Sequence, residues 1–191
     1  MRRYFVSCLF ILAVLVLSAS LFFPSYWIHR FDELIERQSR VYRLDEKLVW
    51  NLIYEETYFR PWSVGTADEV GLMQVTPTVA REWAKESGFR ELEKQTLEDV
   101  NAFLSDPERN IQVGCWYLEK LREQYRGRPA ETAMMLAAYN AGASRVEEWT
   151  RSKDAATMPE SEFMDLIAIP STKNYVSSIL ARYRTEQPRE R

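Results

Sequence analysis

Histidine is nearly absent from this chain and cysteine is scarce: 191 residues contain one His and two Cys. With only His29, Cys8 and Cys115 available, no spacing of Cys and His can assemble a zinc site. No stretch has the ligand pattern of a calcium loop, so no metal and no other cofactor is implied. Cys8 lies in an N-terminal apolar run and Cys115 in a helical pattern, which argues against a disulfide between them. Cys115 reads instead as a small buried hydrophobe. Glycine is also sparse, with six in the chain, and β-branched runs are few beyond the first twenty residues. Ala, Leu, Glu and Arg dominate, a composition that favours helices over sheet. There is no basic excess either: the net charge is -3, which gives no footprint for nucleic acid. Internal repeats, heptads and low-complexity segments are lacking.

One long apolar run is present. Residues 4–23 contain no charged side chain and follow Arg2 and Arg3. Twenty helical residues span about 30 Å, the thickness of a bilayer's hydrocarbon core. Phe22, Phe23, Tyr26 and Trp27 form an aromatic cluster suited to a membrane interface. Ser18 and Ser20 also make a passable signal-peptide cleavage site, but the apolar region is longer than such peptides usually carry. The expected organisation is a cytoplasmic tip and transmembrane signal anchor over residues 1–28. A short juxtamembrane helical lead-in over 29–43, the main domain over 44–185 and a polar tail over 186–191 follow. Basic residues flank the apolar run on both sides, so charge alone does not orient it.

Within the main domain the spacing predicts about eight helices. Leu44, Leu48, Leu52 and Glu56 fall four apart, with Val49 and Ile53 widening the stripe. Thr76 and Pro77 suit a helix start and Gly88 a stop. Asp106 and Pro107 open a longer helix whose stripe runs through Ile111, Cys115, Leu118, Leu121 and Tyr125. Residues 132–139 are nearly all apolar, as in a helix buried on most sides. Tyr175, Ile179 and Tyr183 pattern the last helix. Three polar residues interrupt this scheme next to helix ends: Glu56, Gln74 and Asn140. Glu56 is the most informative, because a carboxylate on a core face needs a partner or a job. Its neighbour Glu55 lies about one hundred degrees round the helix and is free to be solvated.

The same breaks carry a family resemblance. Glu56, Thr57, Phe59 and Pro61 are followed, fifteen residues after Glu56, by Gly71-Leu72-Met73-Gln74 and then Thr76-Pro77-Thr78 with Ala80. Pro107, Glu108, Asn110, Ile111, Gly114 and Tyr117-Leu118 form a second motif, and Ala138-Tyr139-Asn140-Ala141-Gly142 a third. Ser171-Thr172-Lys173-Asn174-Tyr175-Val176 supplies a looser fourth. In these residues the chain resembles the soluble-lytic-transglycosylase-like family, relatives of goose-type lysozyme that act on peptidoglycan. The resemblance implies an all-α, lysozyme-like domain with a substrate groove. It also implies a lytic transglycosylase in which Glu56 is general acid and then base, with no metal. Thr57, Met73, Gln74, Tyr139, Asn140 and Tyr175 take the places of substrate-binding residues. Peptidoglycan strands are the implied partner, and the anchor places the domain on the bacterial cytoplasmic membrane, facing the periplasm or cell-wall space.

Two positions depart from the family pattern. Gly65 stands where the family commonly has a serine, and Ser171 where it has a glutamate. Asp68 and Glu69 leave open a lysozyme-like hydrolysis in which one of them positions water. Gly65 and Ser171 leave open a catalytically inactive glycan-binding or scaffolding protein.

Overall fold

The computed structural model describes residue 20 and residues 22–185. Nine α-helices and one 3-10 turn run from Asp32 to Thr185. They are α1 (Asp32–Val41), α2 (Glu46–Thr57), α3 (Pro77–Ser87), the 3-10 turn (Leu92–Lys94), α4 (Leu97–Ser105), α5 (Pro107–Tyr125), α6 (Glu131–Ala141), α7 (Ala143–Thr150), α8 (Glu160–Leu166) and α9 (Pro170–Thr185). Among the described residues there is no strand beyond isolated bridges joining Val64 to Val70 and Val70 to Val75. The expected all-helical class is thus the observed one. Two compact units are distinguished, residues 1–33 and the unit beginning at Leu34. Residues 4–19 and 21 of the expected membrane run lie outside the described residues, and so does the polar tail. Among the described residues no helix is long and apolar enough to cross a membrane.

Helix boundaries follow local chemistry. Asp45 accepts from the Lys47 N–H at the start of α2, and Thr76 caps α3 with Pro77 in its first turn. Asp106 does the same for α5 ahead of Pro107, and Thr96 and Asp99 form a reciprocal capping box on α4. Gly88 ends α3 in the left-handed conformation, at φ 80°. The lead-in helix α1 buries Ile35, Gln38 and Ser39.

The core is built around α6. Residues 133–138 are all at most 1% exposed, and α5, α7, α8 and α9 pack around this helix. Its small residues let neighbouring backbones approach closely. On one side α9 also packs against α2, and on the other α3 and α4 pack against α5. That arrangement brings the C-terminal end of α2, the C-terminal end of α6 and the N-terminal half of α9 to one place.

Candidate active site

The segment between α2 and α3 carries most of the unusual backbone. Four of the five non-glycine residues with positive φ among the described residues lie in it: Tyr58, Phe59, Asp68 and Gln74. Such conformations cost energy and persist only where packing over-determines them. Here the fastener is Asn110, fully buried on α5. Its Nδ2 donates to the Val70 carbonyl at 2.7 Å and the Leu104 carbonyl at 2.9 Å, and its Oδ1 accepts from the Met73 N–H at 2.8 Å. Two glycines allow this approach. A Cβ on Gly71, at φ 76°, would lie 2.4 Å from Asn110 Nδ2, and one on Gly114 would lie 2.4 Å from Met73 Sδ. Thr57 adds a third tie, its hydroxyl donating to the Leu72 carbonyl at 3.0 Å.

A cleft of about 570 Å³ opens beside this segment, and Glu56 lines it together with Gln74, Tyr139, Asn140, Tyr117 and Glu69. Tyr175 comes from α9 and donates a 2.6 Å hydrogen bond to Glu56 Oε1. Burial pushes the Glu56 carboxyl up to about 7, against the hydrogen bond from Tyr175, which lowers it; the carboxylates of Glu69 and Glu55 add to the rise. The phenols of Tyr139 and Tyr175 are raised well above their ordinary value, first by burial and then by the charge of Glu56. Both remain donors at neutral pH. Glu55 turns away to pair with Arg182, whose guanidinium also lies 4.7 Å from the Tyr54 ring centroid.

Of the residues expected at the site, Glu56, Gln74, Tyr139 and Asn140 meet at the cleft, and Tyr175 reaches it through Glu56. Gln74 also braces the loop, its Nε2 donating to the Gly71 carbonyl at 2.9 Å and the Ser63 carbonyl at 3.3 Å. Tyr139 donates to the Met73 carbonyl at 2.8 Å. Asn140 Oδ1 accepts from the Thr172 hydroxyl at 2.7 Å, which leaves its Nδ2 available to a ligand. Thr57 and Met73 correct the expectation: their side chains are 1% and 0% exposed, held inside by the contacts that fasten the segment to α5, so they shape the site without reaching the cleft.

The second motif contains Asn110 and Tyr117 without giving either a role, and the sequence leaves Glu69 as one of two loop acids that could position water. Asn110 had a usable signal, an amide set beside the apolar stripe of α5. Tyr117 stands in the same motif, but an aromatic in a helix ordinarily packs, so its place at the cleft is not read from the sequence. Of the two acids in the loop, Asp68 is exposed and outside the cleft, and Glu69 lines it.

These features define a class: an all-helical domain with one neutral-range carboxyl, held by a tyrosine, in an open cleft. The family model described as Transglycosylase SLT domain matches residues 33–160, and the chain belongs to that family. It is 33% identical over 122 residues to the membrane-bound lytic murein transglycosylase C of Actinobacillus succinogenes, covering 61% of this chain and 32% of the relative. The protein of the same name from Salmonella arizonae is 33% identical over 122 residues, covering 62% and 32%. The chain thus spans about a third of the length of these curated relatives. Among solved structures, the lytic transglycosylase Slt of Pseudomonas aeruginosa superposes with a TM-score of 0.69 at 22% identity, over 82% of this chain and 24% of that one. The 70 kDa soluble lytic transglycosylase of Escherichia coli gives 0.67 at 24% identity, over 80% and 23%. At these identities the likeness establishes the fold, which is the lysozyme-like helical one expected.

Proposed function

We propose that the chain is a peptidoglycan lytic transglycosylase with Glu56 as its single acid/base. The observation that carries this reading is the Glu56 carboxyl itself, raised to about 7 by burial, held by Tyr175 and facing the cleft. Such a group is protonated often enough at neutral pH to act as an acid, and basic enough afterwards to take a proton back. The reaction begins with proton transfer from Glu56 to the glycosidic oxygen between N-acetylmuramic acid and N-acetylglucosamine. The bond from C1 to that oxygen breaks, and the glucosamine side leaves with a new hydroxyl. Carboxylate Glu56 then takes the proton of the muramic acid's own 6-hydroxyl, whose oxygen bonds to C1 and leaves a 1,6-anhydro end. The internal nucleophile needs no immobilised water and benefits from proximity. Asn140 Nδ2 is placed to orient the sugar, and Tyr175 fixes the carboxyl.

The named relatives are murein transglycosylases called membrane-bound, which supports both the substrate and a membrane location. The uncharged run 4–23 serves as the anchor, residues 29–43 as the lead-in and 44–185 as the catalytic domain, facing the periplasm or cell-wall space. Phe22, Phe23 and Tyr26 are 74%, 57% and 66% exposed, as interfacial aromatics would be.

A lysozyme-like hydrolysis has one observation in its favour, the presence of Glu69 in the same cleft. Mass spectrometry of digested cell walls separates the two. Anhydro ends that vanish with Glu56→Gln support transglycosylation, and reducing muramic ends would replace it with hydrolysis. No release of either product would leave a glycan-binding protein.

A further inference from the structure

Gly65 lines the cleft at a position where a side chain would have to displace the carboxylate of Glu69. A Cβ placed there would lie 2.3 Å from Glu69 Oε2 and 2.9 Å from Gln74 Oε1. The space is taken by the carboxylate of Glu69, which folds back over the turn and is anchored by the Ala67 N–H, donating to Oε2 at 2.8 Å. The backbone closes the same turn, with the Gly65 N–H donating to the Glu69 carbonyl at 2.7 Å. Glu69 Oε1 has no hydrogen-bond partner among the described residues, and no ion pair among them includes Glu69. The cleft lining contains two carboxyls, Glu56 and Glu69, and neither lysine nor arginine.

A carboxylate accepts hydrogen bonds and does not donate them. A neutral sugar laid over Glu69 would strip water from a charge and return no counter-charge, whereas an ammonium group would return one through a charge-assisted hydrogen bond. We propose that Glu69 is a specificity-determining residue that receives an ammonium group of the glycan, and that Gly65 is the residue that makes room for it. The inference rests on the glycan-cleaving reading above. The ammonium belongs either to an amino sugar lacking its acetyl group or to an amine of a stem peptide.

Calorimetric binding to the full chain carrying Glu56→Gln, which removes turnover, tests this. The probes are a fully N-acetylated chito-oligosaccharide, the same oligomer de-N-acetylated, and murein strands with and without stem peptides, each before and after chemical acetylation of free amines. Amine-bearing probes should bind about tenfold tighter than their acetylated forms. The preference should collapse when Glu69→Gln is added. Gly65→Ser should do the same, because the atom it displaces is the mobile end of a side chain and not backbone. Combined with Glu69→Gln, Gly65→Ser should cost little more. Preference for the de-N-acetylated oligomer assigns the sugar amine. Preference confined to peptide-bearing murein assigns the stem. Glycan binding with no amine preference, or a preference that survives Glu69→Gln, overturns the ammonium site alone. No binding of any probe overturns the glycan reading and the site with it.

Discussion

Tyr175 Oη and Glu56 Oε1 lie 2.6 Å apart although 119 residues separate them in the chain. The phenol donates to the carboxylate, favouring the charged form, while burial favours the neutral one and prevails. Removing the donor with Tyr175→Phe should therefore raise the Glu56 carboxyl further. The alkaline limb of the pH profile of kcat/KM, set near 7 by this group, should move to higher pH. The rate should fall about tenfold, as expected for loss of one charge-assisted hydrogen bond. A limb that stays in place on glycan substrate would separate Tyr175 from the titration of Glu56.

Glu56→Gln should abolish cleavage, by a factor on the order of a hundred or more, and leave the fold intact. Its stability should also depend on pH in a defined sense. The folded carboxyl titrates at about 7, above its ordinary value of 4.5, so between these the native state holds more protons than the unfolded one. Wild-type stability then falls as pH rises from about 4.5 to about 7, by roughly 3 kcal/mol at most. Glutamine escapes this penalty. Thermal unfolding should show the variant more stable than wild type at pH 8 and the difference reduced at pH 5.

Asn110 joins α5 to the loop through three buried hydrogen bonds. Asn110→Ala leaves the Leu104 carbonyl and the Met73 N–H without partners and takes one of two donors from the Val70 carbonyl, which keeps the Val75 N–H, and should cost about 3 kcal/mol. A denaturant melt would record it as a lowered midpoint. Gly71→Ala should act on the same joint, since its new methyl meets Asn110 and its φ of 76° disfavours a side chain.

Thr172→Val removes the hydroxyl that holds Asn140 Oδ1 and leaves the shape nearly unchanged. The Asn140 amide is then free to turn, and KM should rise several-fold with little change in kcat or melting temperature. Thr172→Ser, which keeps the hydroxyl, should restore KM; failure of that rescue would make Thr172 a packing residue only.

Much of the fold was legible because its signals are local. Thr76-Pro77 and Asp106-Pro107 open the helices they were expected to open, and Gly88 closes one. Residues 133–138 read as a helix buried on most sides and are the centre of the core. The site was legible in part. Periodicity marked Glu56 and the motifs marked Gln74, Tyr139, Asn140 and Tyr175. The same motifs placed Thr57 and Met73 at the substrate, because nothing in a one-dimensional pattern tells a side chain that touches the ligand from one that holds up its neighbour. Gly65 read as a missing serine; in three dimensions it is a space filled by Glu69.

By itself, then, the sequence determined the helices, their caps and the presence of a carboxyl where an apolar face should continue. Those outcomes depend on contacts within four residues along the chain. Only the tertiary structure decided which of two adjacent acids meets Tyr175 and which pairs with Arg182. It also decided that Met73 faces Gly114 and not the cleft, and that Glu69 rather than Asp68 joins Glu56 there. Each of these follows from the packing of α9 on α2 and of the loop on α5, where close approach and burial set both partners and proton affinity.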